Sequence, residues 1–157
     1  MNDRFKFRVW DKENKCMHYP SRYHNYGIVN GTVVKIESYP TANSAYLGKR
    51  ISWEFDDAVI MQSTGLKDKN GKLIYDGDFL RYPATETYYA NHFMFCEVFW
   101  HNNDCCDNHI GWQMNRYHNV GGLMEINFGT KYKFMPKNTE KMEIIGNRYE
   151  NKDLLNA

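Results

Sequence analysis

Two closely spaced turn signals within residues 61–82 constrain the fold more than any other feature of the sequence. The first turn signal ends in Asn70 and Gly71, residue types that tolerate the positive φ of tight hairpin turns. The second, Asp76-Gly77-Asp78, follows shortly after it. Segments with strand composition flank both turns, at residues 59–66, 72–75 and 79–82. Short strands joined by tight turns predict a small and strongly bent antiparallel sheet.

Further signals extend this β pattern along the chain. Asn30 and Gly31 are flanked by β-branched residues, which predicts a hairpin with a type I′ turn. Residues 93–100 are apolar at almost every position, which predicts a central strand buried on both faces. Residues 37–50 and 82–92 have the composition of loops. No window shows sustained 3.6-residue periodicity, so the sequence indicates a mainly β fold.

Both ends of the chain also have strand patterns. Basic and aromatic or aliphatic side chains alternate at the start, with Arg4, Lys6 and Arg8 against Phe5, Phe7 and Val9. This alternation predicts a half-buried strand over residues 4–10 with a basic outer face. A polar turn at residues 11–15 and a return strand at residues 16–19 follow it. At the other end, residues 141–149 predict a closing strand, and Asn151 is placed to cap a final helical turn.

Three segments of the sequence match one family pattern in order. The central segment reads TGLKDKNGK over residues 64–72 and IYDGD over residues 74–78. The opening segment reads FKFRVWDK over residues 5–12, and the closing segment reads EIIGNRYEN over residues 143–151. Together they resemble the YopX-like family of phage and prophage proteins. The resemblance implies a mostly β architecture with an SH3-like barrel and a tendency to self-associate. It implies no established activity, so no functional residue is carried over from it.

We therefore predict a mainly β fold, an SH3-like barrel with additional N-terminal β-hairpins and little helix. A single YopX-like domain spans residues 1–157, with a hairpin layer over residues 1–60 and the barrel part over residues 61–157. The length of 157 residues is enough to bury a core. Apolar residues make up 42% of the chain and aromatic residues 16%, a composition that argues against a disordered protein.

The net charge of the chain and the length of its apolar segments limit which partners and which cellular compartment we expect. The formal net charge of +1 does not draw a polyanion to the molecule as a whole. No apolar run approaches the length that spans a membrane, and the N-terminus lacks the apolar core of a secretory signal. We therefore expect a cytoplasmic protein of a bacterial host cell, with no membrane partner and with its four cysteines reduced.

The loop over residues 101–109 carries the strongest metal hypothesis in the sequence. Cys105, Cys106 and His109 are donors that zinc prefers, and His101 or His92 would complete the set. The loop has no Cys-x-x-Cys spacing, and adjacent cysteines in a strand point to opposite sides. The simpler interpretation is a polar loop with incidental thiols. A zinc-binding protein using this loop is kept as the second alternative.

No combination of residues in the sequence indicates catalysis. The cysteines of the loop lack an orienting third group and an oxyanion-hole motif. The carboxylates are scattered without a spacing that places a pair on one face. Gly121-Gly122 lacks the further glycines and the lysine of a phosphate-binding loop. We predict a non-enzymatic protein with no catalytic residue, no cofactor and no metal ligand.

Basic residues around the central turn indicate an alternative partner. Lys67, Lys69 and Lys72 surround the turn and Arg81 follows on the next strand, so these four are candidate nucleic-acid contacts. Three aromatic residues are candidates for stacking on bases, namely Trp100, Trp112 and Tyr117. The simpler interpretation is that the lysines are solvated and the tryptophans belong to the core. A nucleic-acid-binding SH3-like barrel is the first alternative.

The function we expect is an uncharacterised phage or prophage accessory role, exerted as a homo-oligomeric interaction module. An aromatic-rich β domain with strand edges readily buries surface against copies of itself. The partner is therefore a second copy of this chain, with nucleic acid as the alternative partner.

Overall fold

The computed structural model describes residues 3–40, 47–83, 93–101, 111–120, 123–126, 132–133 and 139–155. These residues form strands and two short 3-10 helices, at Asp3–Phe5 and Lys152–Leu155, so the prediction of a mainly β fold with little helix is confirmed. The strands are β1 Phe7–Asp11, β2 Cys16–His18, β3 His24–Val29, β4 Thr32–Pro40, β5 Leu47–Phe55, β6 Ala58–Lys67, β7 Leu73–Tyr75, β8 Asp78–Pro83, β9 Phe93–His101, β10 Gly111–Val120, β11 Leu123–Ile126, β12 Tyr132–Lys133 and β13 Glu143–Asn147.

The chain divides into two compact units, Met1–Ser63 and Thr64–Ala157. The single domain predicted over residues 1–157, with parts at 1–60 and 61–157, stays a prediction. None of the described helices has both the length and the apolar character needed to cross a bilayer.

The first unit contains two groups of antiparallel strands. In one group β1 lies between β2 and β6, and in the other the order is β3, β4, β5. A small core joins the two groups, with Val9 from β1, Tyr26 from β3 and Phe55 from β5 buried together. Partly buried apolar residues extend this core, namely Phe7, Val33, Ala58 and Ile60.

The β3–β4 hairpin forms as the sequence predicts. Asn30 and Gly31 have φ angles of 50° and 83°, the two positive values that a type I′ turn requires. The prediction of a loop over residues 37–50 is wrong at both ends of that range. β4 continues to Pro40 and β5 begins at Leu47, because pairing between the strands outweighs the local turn composition. Residues 41–46 and 84–92, the rest of the two predicted loops, lie outside the described residues.

The predicted basic outer face of the first strand is wrong. Asp3–Phe5 form a 3-10 helix, so Phe5 is 63% exposed and the strand begins only at Phe7. Arg8 is 3% exposed, and its Nη2 atom lies 3.6 Å from the Sδ atom of Met61. Arg8 and Val9 lie on opposite faces of β1 and both are buried, so neither face of β1 is a solvated basic surface.

The second unit contains an antiparallel sheet with the strand order β11, β10, β9, β8, β13, and β12 also pairs with β10. This sheet curls into a half-barrel, which agrees with the expected barrel-like fold. β9 pairs with β8 on one side and with β10 on the other, so the prediction of a central strand is confirmed. The prediction that it is buried on both faces is wrong, because Cys96 and Val98 are buried whereas Phe95 and Phe99 on the opposite face are only half-buried. The core of the unit consists of Ile74, Leu80, Cys96, Val98, Met114 and Met142.

The central turn is held by the buried carboxylate of Asp68. Its Oδ1 atom accepts hydrogen bonds from the backbone N–H groups of Asn70 and Lys72, both at 2.9 Å. Its Oδ2 atom accepts from the backbone N–H of Ile144 at 3.2 Å, which ties the turn to the closing strand. Gly71 has a φ of 79°, so the turn forms at the position that the sequence predicts.

The second turn and the end of the chain are each held by a hydrogen bond from a backbone N–H group to a side-chain oxygen, of Asp78 in the turn and of Asn151 at the end. Asp78 is fully buried and accepts a hydrogen bond from the backbone N–H of Tyr75 at 2.8 Å. Asn151 lies at the predicted capping position, where its backbone carbonyl accepts a hydrogen bond from the N–H of Leu154 at 3.1 Å, but its side chain does not bond to the helix as expected. Its Oδ1 atom accepts from the backbone N–H of Asn147 at 3.2 Å, four residues earlier in the chain.

Candidate functional site

A cavity of about 370 Å³ lies in the first unit and is lined by residues of β1 to β5 and of the β1–β2 turn. Titratable side chains from β1, β2 and β3 reach into it, together with the aromatic side chains of Tyr26, Trp53 and Phe55. A concave site with a few polar groups among apolar walls is typical of a small-ligand site.

The β1–β2 hairpin places three potential ligand groups on one side. Asp11 and Cys16 are directly paired across the hairpin, so their side chains share a face. His18 lies two residues beyond Cys16 in the same strand, and therefore on that face as well. Cys16 Sγ lies 3.3 Å from His18 Nε2, and His18 Nε2 lies 3.6 Å from Asp11 Oδ2. The three ligand atoms are all within 4.8 Å of one another.

The turn between the strands holds the carboxylate of Asp11. The backbone N–H of Asn14 donates to Oδ1 at 2.9 Å, and the side-chain amide of Asn14 donates to Oδ2 at 2.8 Å. These two hydrogen bonds, with a smaller contribution from His18, lower the pKa of Asp11 below its ordinary value although burial opposes the shift. Asp11 is therefore a fixed carboxylate at neutral pH.

Aromatic neighbours fix the imidazole of His18. The ring of Phe55 meets it edge-on with centroids 5.2 Å apart, and the ring of Tyr26 lies 6.2 Å away. His24 lines the same cavity, but its Nδ1 atom is hydrogen-bonded to Ser21 Oγ at 2.8 Å. Burial, followed by the charge of the nearby Cys16, raises the pKa of Tyr26 above 10.0, so its phenol stays neutral.

The outer strand β5 is the second candidate surface of this unit. Among the strands that the structure describes it is the last in the order β3, β4, β5, and residues 49–54 are all exposed. Ile51 is 47% exposed and Trp53 is 60% exposed. The register with β4 shifts between these two residues, because Trp53 pairs with Lys35 and Ile51 pairs with the next residue of β4. This shift leaves Ser52 as an extra residue in the strand, a β-bulge.

The family of the chain follows from a comparison with known families. The family model described as YopX protein matches residues 6–156. The chain belongs to the YopX protein family. The resemblance of its opening, central and closing segments to this family is thereby confirmed.

Two solved structures resemble this YopX family member over nearly their whole length. Protein EF1440 from Enterococcus faecalis has a TM-score of 0.58 and 25% sequence identity, and the match covers 96% of each chain. Protein YopX from Bacillus subtilis has a TM-score of 0.52 and 21% identity, and the match covers 100% of this chain and 98% of that one. The second likeness supports the fold alone. No curated protein matches the sequence.

The four candidate nucleic-acid contacts of this YopX family member divide into two kinds. Lys69 Nζ and Arg81 Nη2 both reach Glu143 Oε2, at 2.9 Å and 2.7 Å. The Arg81 and Lys69 hydrogen bonds lower the pKa of Glu143 to about 2. Lys67 and Lys72 are exposed beside the central turn. The structure thus brings Lys69 and Arg81 together on one carboxylate, and nucleic-acid contact by the four residues stays a prediction.

The aromatic candidates and the metal loop are described only in part. Trp100 is 48% exposed and meets Trp112 edge-on with ring centroids 5.2 Å apart, so the two rings do not form a parallel stacking surface. The side chain of Tyr117 is outside the described part of the chain, and so are four residues of the zinc hypothesis, namely His92, Cys105, Cys106 and His109. His101 ends β9, with its ring 6.2 Å from that of Phe99.

Sequence reasoning missed the group formed by Asp11, Cys16 and His18. The signal is present, because the spacing Asp-x4-Cys-x-His fits a hairpin with a four-residue turn between its strands. Strand alternation then places Cys16 and His18 on one face, and pairing across the turn adds Asp11.

Proposed function

We propose that this YopX family member is a phage or prophage accessory protein that acts in the bacterial cytoplasm as a non-enzymatic, homo-oligomeric interaction module. The observation that carries the proposal is the exposed outer strand β5. The family resemblance supports the phage context and the tendency to self-associate.

The backbone edge of β5 supplies the directional part of the interaction. An outer strand has N–H and C=O groups that point away from the sheet and can pair with another strand. β5 is nine residues long, which is longer than the ~5–6 residues of an average strand. Ile51 and Trp53 add exposed apolar surface along this edge. A second copy that pairs with this edge removes both the open backbone groups and the apolar surface from water.

The charges of β5 favour an antiparallel arrangement of two copies. Lys49 and Arg50 lie in the first half of the strand, before the bulge at Ser52, and Glu54 lies in the second half. In a two-fold antiparallel pair, the first half of one copy faces the second half of the other. Each basic half then meets an acidic residue, which favours this pairing over a parallel one.

Sedimentation over a range of protein concentrations tests the proposal. We expect the full chain to form dimers at high concentration and Ile51→Lys to shift the equilibrium towards monomer, because a lysine on the edge opposes strand addition. Phe5→Lys is the control, since Phe5 is 63% exposed but lies outside β5. A full chain that stays monomeric at every concentration contradicts the proposal.

A charge exchange tests the arrangement of the two strands. Glu54→Lys alone and Arg50→Glu alone each place like charges opposite one another in the antiparallel pair, so each variant should be mostly monomeric. Mixing the two variants restores opposite charges at both positions of a mixed dimer. We expect dimers to reappear in the mixture. Dimers of either single variant as stable as those of the unchanged chain would rule out pairing through β5.

A further inference from the structure

The donor types in the β1–β2 hairpin select one class of ion. Asp11 offers a carboxylate oxygen, Cys16 a sulfur and His18 an imidazole nitrogen. Zinc is bound by these three ligand types, whereas calcium and magnesium require oxygen ligands throughout. A thiolate beside an imidazole therefore favours a borderline or soft divalent transition metal.

The distances in the hairpin fit a tetrahedral ion. Bond lengths of ~2.3 Å to sulfur and ~2.0–2.2 Å to nitrogen or oxygen, at tetrahedral angles, put neighbouring donors ~3.4–3.6 Å apart. Cys16 Sγ and His18 Nε2 are 3.3 Å apart, and His18 Nε2 and Asp11 Oδ2 are 3.6 Å apart. The third pair, Cys16 and Asp11, lies within 4.8 Å. We propose that Asp11, Cys16 and His18 form a binding site for Zn²⁺.

Neighbouring residues already hold the donors in place. Asn14 donates two hydrogen bonds to the carboxylate of Asp11, and Phe55 packs against the ring of His18. Outer contacts of this kind orient metal ligands and strengthen metal affinity. Because all three ligands come from one paired hairpin, binding needs no rearrangement of separate segments.

The cavity determines the character of the site. Three protein ligands leave the fourth position of a tetrahedral zinc ion to water or to an added ligand. Asp11, Cys16 and His18 all line the cavity of about 370 Å³, which gives water or an added ligand a path to that position. His24 also lines the cavity but is not one of the three residues whose ligand atoms lie within 4.8 Å of one another. The site therefore binds one zinc ion with one exchangeable position, a property beyond self-association.

Titration of the reduced, metal-free full chain with Co²⁺, followed by competition with Zn²⁺, tests the site. We expect a thiolate-to-cobalt charge-transfer band and tetrahedral visible bands that saturate at one equivalent and disappear when Zn²⁺ is added. Cys16→Ser should abolish the charge-transfer band, and His18→Gln should weaken binding strongly. Asn14→Ala should lower Zn²⁺ affinity about 10–100-fold, because it removes one of the bonds that orient Asp11.

Matched controls separate this site from other thiols and from loss of folding. His24→Gln changes a cavity residue outside the ligand group and should leave the Co²⁺ bands unchanged. The double variant Cys105→Ser/Cys106→Ser removes the thiols of the loop and should also leave the bands unchanged. Circular dichroism of each metal-free variant is expected to match that of the unchanged chain. Zn²⁺ should raise the melting temperature of the unchanged chain and of His24→Gln but not of Cys16→Ser.

Three results overturn the proposal. They are the absence of a saturable band at one equivalent, a band that persists in a folded Cys16→Ser variant, and a band lost only in the Cys105→Ser/Cys106→Ser variant. The last result would assign metal binding to the loop over residues 101–109.

Discussion

Two glycines in the second unit adopt the same backbone conformation in different surroundings. Gly71 and Gly77 have φ angles of 79° and 78°. A Cβ atom at Gly71 would meet nothing within 4 Å, whereas one at Gly77 would lie 2.8 Å from Nε of Arg148. The side chain of Arg148 pairs with Glu97 at 2.8 Å, so it is not free to move without loss. Substitutions at the two positions therefore distinguish the cost of backbone strain, which both share, from the cost of a steric clash, which only Gly77 has.

We expect Gly71→Ala to lower the free energy of unfolding by about 1–2 kcal/mol, the cost of a left-handed conformation for an L-residue. Gly77→Ala should lower it by clearly more, because it also displaces Arg148 from Glu97. Chemical denaturation of both variants and of the unchanged chain measures the difference. Equal losses for the two variants would show that the contact with Arg148 costs nothing.

Local rules explain which single residues were predictable. The positive φ of Asn30, Gly31 and Gly71 follows from residue type and from the strands beside them. The burial of Arg8 does not follow from local sequence. It depends on the pairing of β1 with β6, which lies about fifty residues away in the chain. A basic residue in an alternating segment is usually solvated, and only the long-range partner strand reverses that expectation.

Among the elements, the closing strand β13 depends on a charged contact that is sensitive to pH. Glu143 at the start of β13 is held by Arg81 of β8 and by Lys69 of the central turn. These two partners lower the pKa of Glu143 from 4.5 to about 2. In the unfolded chain the carboxyl regains its ordinary pKa, so between pH 4.5 and about 2 the unfolded state binds more protons than the folded state.

We therefore expect the contribution of Glu143 to be present above pH 4.5 and to be lost as the pH falls towards about 2. The measurement is the free energy of unfolding of the unchanged chain and of Glu143→Gln across this range. The difference between them should be constant above pH 4.5 and should shrink as the pH falls. A difference that stays constant down to pH 2 would mean that the carboxylate charge adds nothing to stability.

The lengths of the strands show which parts of the secondary structure the sequence patterns could not predict. The central position of β9 was predicted from its apolar residues, but that pattern overestimated its burial, since only the face of Cys96 and Val98 is buried. The ends of β4 and β5 were missed because Pro40 and the polar residues around it have turn composition. Their strand conformation comes from pairing with each other, which composition within either segment does not report. The ligand group at Asp11, Cys16 and His18 was missed for the same reason, because it exists only across a strand pair.

At the scale of the whole molecule, the formal net charge of +1 gives no general attraction for polyanions. The nucleic-acid alternative therefore depends on the local group of Lys67, Lys69, Lys72 and Arg81. Glu143 contacts two of these cations and cancels one charge of the four.

Three segments of sequence were enough to recognise the family and its barrel-like fold, since those segments hold the turns. The pairing of Lys69 and Arg81 with Glu143 was not predictable in this way, because it depends on charges that different elements bring together.

The charge on Glu143 gives a direct test of that alternative. If the four cations contact nucleic acid, the affinity for a single-stranded oligonucleotide should fall as the salt concentration rises. The slope of log affinity against log salt then reports how many phosphates the protein neutralises, at about 0.7 for each phosphate contact. Glu143→Gln should then steepen the slope by about that amount and tighten binding at low salt. Glu13→Gln changes the net charge of the chain equally but lies in the exposed β1–β2 turn, so it should leave the slope unchanged. Equal slopes in both variants would place any binding elsewhere on the molecule. No binding at low salt would exclude this partner, because phosphate contacts are strongest where screening is weakest.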